Sequence, residues 1–169
     1  YGVGVNIELN KNLSLEATLN PDFSQVEADV TKIDINSPTA INYPERRPFF
    51  NRGIDVLDYT MDVIYSRSIN NPSFASKIIN QAKKSRLYML TAIDQDSPYI
   101  VPTQFESFSG TGGKSFNNIL RYQNIISPNI QVGALATNRF YEGDAFGNLI
   151  GLDGLLKLGG GWKFELEYF

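Results

Sequence analysis

The chain has 169 residues, 42% of them apolar, a net charge of −3, and neither cysteine nor histidine. Within this stretch those absences exclude disulfides, thiolate nucleophiles, imidazole bases and the usual zinc ligand sets, and most enzyme mechanisms go with them. Interspersed acids and bases leave no electrostatic footprint for nucleic acid, and no run approaches the roughly 20 apolar residues of a membrane-spanning helix.

The chain opens at Tyr1 with no basic segment followed by an apolar run, which implies that any targeting segment has been removed or lies upstream. From Tyr1 to Leu9 apolar residues alternate with small or polar ones: Tyr1, Val3, Val5, Ile7 and Leu9 against Gly2, Gly4, Asn6 and Glu8. This is the period of a strand with one apolar face. Asn10-Lys11-Asn12 has the composition of a tight turn, and the alternation resumes through Leu13, Leu15, Ala17 and Leu19, so the two runs read as a hairpin.

Residues 20–58 break the pattern. The stretch NPDFSQVEADVTKIDINSPTAINYPERRPFF, Asn20 to Phe50, is bounded by proline, rich in charge, and reads as a non-strand insert. Strand candidates follow at Met61 to Ser68, Lys77 to Lys83, Arg86 to Asp94 and Ser115 to Asn124. The last third returns to clean alternation in Ile130 to Ala136, Ile150 to Leu158 and Trp162 to Tyr168. Lys84-Ser85, Ser127 to Asn129 and Gly159 to Gly161 read as tight turns, whereas Gln95 to Lys114 and Arg139 to Asn148 read as long loops.

About nine strands of roughly 8 to 10 residues, with short turns on one side and long loops on the other, match a transmembrane β-barrel, whose strands are about 9 to 11 residues long. Aromatic residues near strand ends, Tyr1, Trp162, Tyr168 and Phe169, suit the interfacial girdles of such a barrel. The fold class expected is therefore all-β: an antiparallel transmembrane barrel of which residues 1–169 form the N-terminal portion. A soluble, lectin-like sandwich also alternates apolar and polar residues and stays open at this point.

The motifs NPDFSQVEAD and PERRPFF resemble those of a family of Bacteroidetes outer-membrane proteins in which a β-barrel domain of unknown function follows a module like the family-nine carbohydrate-binding domains. YGVGVNIELNKNLSLEATLNPDFSQVEAD is similar to that family's opening hairpin, and VIYSRSI (Val63 to Ile69) to its strand after the insert, with Ser68 in place of a usual arginine and Asn51-Arg52-Gly53 in place of Leu-Glu-Gly. The resemblance implies a Gram-negative outer membrane as location and a longer protein supplying the remaining barrel strands. It also implies a lipid bilayer as surroundings, with other outer-membrane or periplasmic proteins, and glycans, as partners. The role it suggests is non-catalytic, in passage, binding or envelope assembly; a membrane-associated glycan-processing hydrolase is the alternative, since some members carry a hydrolase label.

The candidate functional residues lie in the insert: Asp22, Gln25, Glu27, Asp29, Glu45, Arg46, Arg47, Phe49 and Phe50. Arginine holds carboxylates in a two-pronged grip, so Arg46 and Arg47 either pair with the insert's own acids or recognise an anionic ligand. Glycoside hydrolysis needs two carboxyl groups at a defined separation, and sequence does not place Glu27, Asp29 or Glu45 in that way. Asp94 with Asp96, and Glu142 with Asp144, could hold calcium but lack the ligand density of a dedicated site. GTGGKS at Gly110 to Ser115 has the residues of a phosphate-binding loop without its spacing, and reads as a loop tip. No metal and no cofactor is expected. With the short turns at Asn10 to Asn12, Lys84-Ser85, Ser127 to Asn129 and Gly159 to Gly161 all on one side, strand parity requires the chain between Asn20 and Asp58 to cross the barrel once, through its lumen, with Arg46 and Arg47 paired to carboxylates and Phe49 and Phe50 against the wall. A strand at Ser24 to Ile35 would restore parity without such a plug.

Overall fold

A computed structural model of the chain describes residues 1–23, 45–60, 63–102 and 107–169. Its centre is an eight-stranded antiparallel sheet in the order β1 (Val3–Glu8), β2 (Leu13–Leu19), β3 (Pro72–Gln81), β4 (Ser85–Asp94), β7 (Ser115–Ser127), β8 (Ile130–Tyr141), β9 (Phe146–Lys157) and β10 (Lys163–Tyr168). A separate two-stranded hairpin, β5 (Pro98–Pro102) with β6 (Ser107–Thr111), rises between β4 and β7. The fold is all-β. The sheet is not closed, since β1 and β10 each pair on one side only.

Each strand follows its neighbour in sequence, an up-and-down meander interrupted only by the insert and the small hairpin. The turns after β1, β3, β7 and β9 fall on one edge of the sheet, and the connections after β2, β4 and β8 fall on the other. Asn10 shows how local chemistry fixes the first turn: its Oδ1 accepts from the backbone of Asn12 at 2.8 Å and of Leu13 at 3.0 Å.

Two expectations about the strands are corrected. Val63 to Ser68 is not a strand: Ser66–Ser68 is a 3-10 turn, and Val63 and Ile64 pack onto the core. The strand begins instead at Pro72, where Leu19 of β2 faces Phe74 of β3. The insert therefore leaves and rejoins the sheet at one edge, and parity asks for no crossing. Arg139 to Asn148 is not a long loop either, because β8 runs to Tyr141 and β9 starts at Phe146. Gly143 (φ 100°) and Asp144 (φ 68°) both take the left-handed conformation that tight hairpin turns require.

The register divides the sheet into two unlike faces. Alternate residues such as Val5, Leu15, Ile78, Met89, Leu120, Ala136 and Ile150 form one row across neighbouring strands or flank it, and the same parity along every strand gives a face that carries no charged residue. Its largest members are open: Leu120 is 44% exposed, Ile150 73% and Leu166 72%. The opposite face holds every charged strand residue, Glu8, Glu16, Lys77, Arg86, Asp94, Arg121, Arg139, Asp153, Lys157, Lys163, Glu165 and Glu167. Polarity is thus inverted over the central strands relative to a soluble sheet. Lys77, Asp94 and Arg121 are buried, while the uncharged face, apolar but for a row through Ser76, Thr91, Asn118, Asn138 and Asn148, is largely bare. Glu8, Lys157, Lys163 and Glu165 on the outer strands stay exposed.

Over the central strands the charged face is covered by residues 45–60 and 63–71. Phe50, Val56, Leu57 and Ile69 from this segment form one buried cluster with Ala75, Ile79, Tyr88, Leu90, Ala92, Ile119 and Leu135 from the sheet. A short helix, α1 (Pro48–Asn51), starts at Pro48, whose fixed φ suits a first turn, and stops at Arg52, which is extended. Gly53 then turns with φ 77°; a Cβ there would come within 2.6 Å of Ile79 Cδ1, so glycine lets the backbone press onto β3.

Candidate functional site

Lys77 and Arg121, almost wholly buried cations on the charged face, hold the segment by its main chain. Lys77 Nζ donates to the carbonyls of Phe49 and, at 2.8 Å, Arg52, and it lies 4.8 Å from the Phe49 ring centre. Glu16 neutralises it at 3.3 Å and also meets Arg52 at 3.0 Å, while Arg52 reaches on to Glu8 at 3.4 Å. Arg121 grips Asp153 with both prongs, at 2.5 and 2.9 Å, donates from Nε to the Val56 carbonyl at 3.3 Å, and stacks 4.6 Å from the Tyr59 ring centre. This pose depends on Gly133 of β8, where a Cβ would stand 2.2 Å from Arg121 Nη1.

Acids do the converse. Asp94, fully buried, accepts from the backbone N–H of Asn70 at 3.0 Å and Asn71 at 2.7 Å and from Ser97 Oγ at 2.9 Å. Glu167 accepts from the N–H of Thr60 at 2.8 Å, and Asp55 of the segment takes the amide of Gln81 at 2.8 and 3.0 Å. Ser97 and Ser115 are hydrogen-bonded to each other, and Asn117 donates to Ser115 at 2.8 Å. The buried charges Lys77, Arg121 and Asp94 of this face are therefore engaged with peptide groups, which cost free energy when buried without partners.

Within the segment, Glu45 and Arg47 form a closed unit. Arg47 donates to Glu45 from Nε at 2.9 Å, from Nη2 at 2.8 Å and from its backbone N–H at 2.9 Å, and to the carbonyls of Ile69 at 2.6 Å and Ser66 at 3.0 Å. Ser66 Oγ adds a bond to Glu45 at 2.7 Å. The guanidinium lies 4.1 Å from the Phe50 ring centre and 5.3 Å from that of Phe23. Burial alone would raise the Glu45 pKa, but the hydrogen bonds and charge of Arg47, with Ser66, hold it below its ordinary value of 4.5. Phe49 and Phe50 meet edge to face at 5.2 Å, with Phe50 fully buried.

Of the residues expected from sequence, the structure brings together Glu45, Arg47, Phe49 and Phe50. Arg46 is exposed beside them, and Asp22 lies at the start of the insert. Gln25, Glu27 and Asp29 lie outside the described residues. Asp94 belongs to the peptide clamp and not to a calcium loop, and Glu142 and Asp144 sit in the β8–β9 turn. Among the described residues no group of three or more acidic side chains is placed to hold a metal ion. Gly110–Thr111 ends β6 and Ser115 starts β7, so no helix follows that glycine-rich run. The wall residues Lys77, Arg121, Arg139 and Asp153 escaped prediction; the available signal was a charge in the middle of a strand, where bilayer and core alike would exclude it unless paired.

A family model described as a domain of unknown function, DUF5916, matches residues 1–92, from β1 to the end region of β4 and including the insert. No curated protein and no solved structure matches the chain. With the match spanning residues 1–92 of 169, more than half its length, the chain belongs to the DUF5916 family.

Proposed function

We propose that the sheet is a stretch of the wall of a transmembrane β-barrel in the outer membrane of a Gram-negative bacterium, with residues 45–60 and 63–71 docked on its lumenal side. The observation that carries this reading is the inverted polarity: an uncharged, largely apolar and exposed face spanning the strands of the meander, and a charged face that its own chain covers over the central strands. A barrel alternates apolar residues to lipid with polar ones to the interior, and lipid is the surrounding that makes a bare apolar face of this extent favourable. Strands β3, β4, β7, β8 and β9 are 10 to 13 residues long, enough to cross hydrocarbon at a tilt. Phe74, Phe116, Phe140 and Phe146 end the apolar face at the edge of the long connections, as an interfacial girdle would.

The unpaired edges of β1 and β10 then join further strands of the same barrel, since open edges in hydrocarbon leave peptide groups unsatisfied. The role we assign is non-catalytic, in passage, binding or envelope assembly, with the docked segment narrowing the lumen. The carboxylates of the charged face support this assignment over hydrolysis: Glu16, Glu45, Asp94 and Asp153 are each committed to a cation or to peptide N–H groups. Extraction of the intact protein tests the reading. Release only by detergent, with gel migration that changes on heating, is expected, and full solubility in plain buffer would exclude the barrel in favour of the sandwich.

A further inference from the structure

Arg139 differs from Arg47, Arg52 and Arg121 in having only neutral partners. Its Nε donates to Asn117 Oδ1, its Nη2 to Ser68 Oγ and its Nη1, at 3.4 Å, to Tyr141 Oη. By contrast Arg121 holds Asp153, Arg52 holds Glu8 and Glu16, and Arg47 holds Glu45. One N–H on each Nη of Arg139 is left over, the arrangement that meets a carboxylate end-on. Across the ladder Arg139 faces Gly147, where a Cβ would touch nothing within 4 Å, so the strand is open at that position. Arg139 and Gly147 line a cleft of about 310 Å³, near the lower end of the range for small-molecule sites, whose lining also includes Ile64, Tyr65 and Leu149.

We infer that Arg139 anchors a binding site for a small carboxylate with an apolar body, the carboxylate on the guanidinium and the body against Ile64, Tyr65 and Leu149. The charge selects an anion and the planar fork favours carboxylate geometry, while the apolar wall rewards a body that acetate lacks. The site lies at the edge of the long connections, between the β8 end and the returning segment at Ser68, and so opens at the rim of the sheet whether or not that rim borders a membrane.

Titration calorimetry on the intact protein, in whichever of buffer or detergent keeps it dispersed, tests the site with benzoate as probe. Saturable binding of benzoate is expected, with benzamide and acetate each weaker by roughly tenfold or more, because one lacks the charge and the other the body. Arg139→Gln should weaken benzoate by a similar factor. Gly147→Val, which keeps the charge but fills the opening, should also weaken it, and Arg139→Lys should fall between. Benzamide binding as well as benzoate, or Gln at 139 leaving benzoate binding unchanged in a protein that still melts cooperatively, would overturn the assignment. Inorganic phosphate competing as well as benzoate would overturn the carboxylate class in favour of a general anion site.

Discussion

Leu120 lies near the middle of the bare face, beside Met89 and Ala136 on the neighbouring strands. Along β7 it is about 13 Å from Phe116 and about 20 Å from Ile126 at roughly 3.3 Å per residue, which places it deep in an apolar band of about 25 Å. In a bilayer, Leu120→Arg should cost about 2 to 4 kcal/mol, or between one and three orders of magnitude in the folding equilibrium. If the protein lived in water the same substitution would alter a side chain already 44% exposed and should change stability by less than about 0.5 kcal/mol. Gln131→Arg is the control: it lies on the charged face, opposite Ile125 and Leu155, where a further cation should be tolerated. Both variants would be refolded into lipid vesicles and titrated with urea, comparing midpoints at unchanged slope. Equal losses for the two variants, or no loss at Leu120, would refute the assignment of lipid to the bare face.

Other outcomes follow from the clamps. Gly133→Ala should drive Arg121 off Asp153 and destabilise the fold by about 2 to 4 kcal/mol, read as a lower melting midpoint, and the loss should shrink when Arg121 is first replaced by Met. Glu45 has a lowered pKa, so its contribution to docking should be full above about pH 4.5 and fade as pH falls through the lower folded-state value. Hydrogen exchange at residues 45–71 should accelerate over that window, and Glu45→Gln should abolish the dependence. Tyr59 has a buried hydroxyl without a hydrogen-bond partner, so Tyr59→Phe should be neutral or stabilising by up to about 1 kcal/mol, its ring still meeting Phe169 at 5.3 Å. Protease added to intact cells should cut between β4 and β7 before it cuts at the turn Gly159–Gly161; the reverse order would invert the orientation.

The hairpin β1–β2, the strands from β7 onward and the turns after β7 and β9 were legible because period-two alternation is a local signal and each of these turns carries its own chemistry. Val63 to Ser68 misled because Val63, Ile64 and Tyr65 have strand-like side chains, yet no neighbouring strand offers them a ladder; burial against the sheet decides their conformation. The β8–β9 turn was hidden by the polar run Asn138, Arg139, Glu142 and Asp144, although Gly143-Asp144 is a known hairpin pair. Within the site, Glu45 and Arg47 are sequence neighbours and could be guessed as partners. Arg121 with Asp153, or Lys77 with the carbonyl of Phe49, are brought together only by sheet register and the return of the insert, which no local pattern records.

Lys77, Arg121, Asp94 and Glu167 recognise the docked segment through peptide carbonyls and N–H groups at Phe49, Arg52, Val56, Thr60, Asn70 and Asn71. A peptide group is the same for almost every amino acid, so at most of those positions the grip is indifferent to which side chain is present. Outside its buried anchors Phe50, Val56, Leu57 and Ile69 and the turn at Gly53, the segment can diverge in sequence and stay seated, provided Thr60, Asn70 and Asn71 never become proline, which has no N–H to give. Substitution at the strand positions has no such freedom, because each changes the hand and not what it holds. The shape of the docked chain is thus written largely in the residues of the surface beneath it.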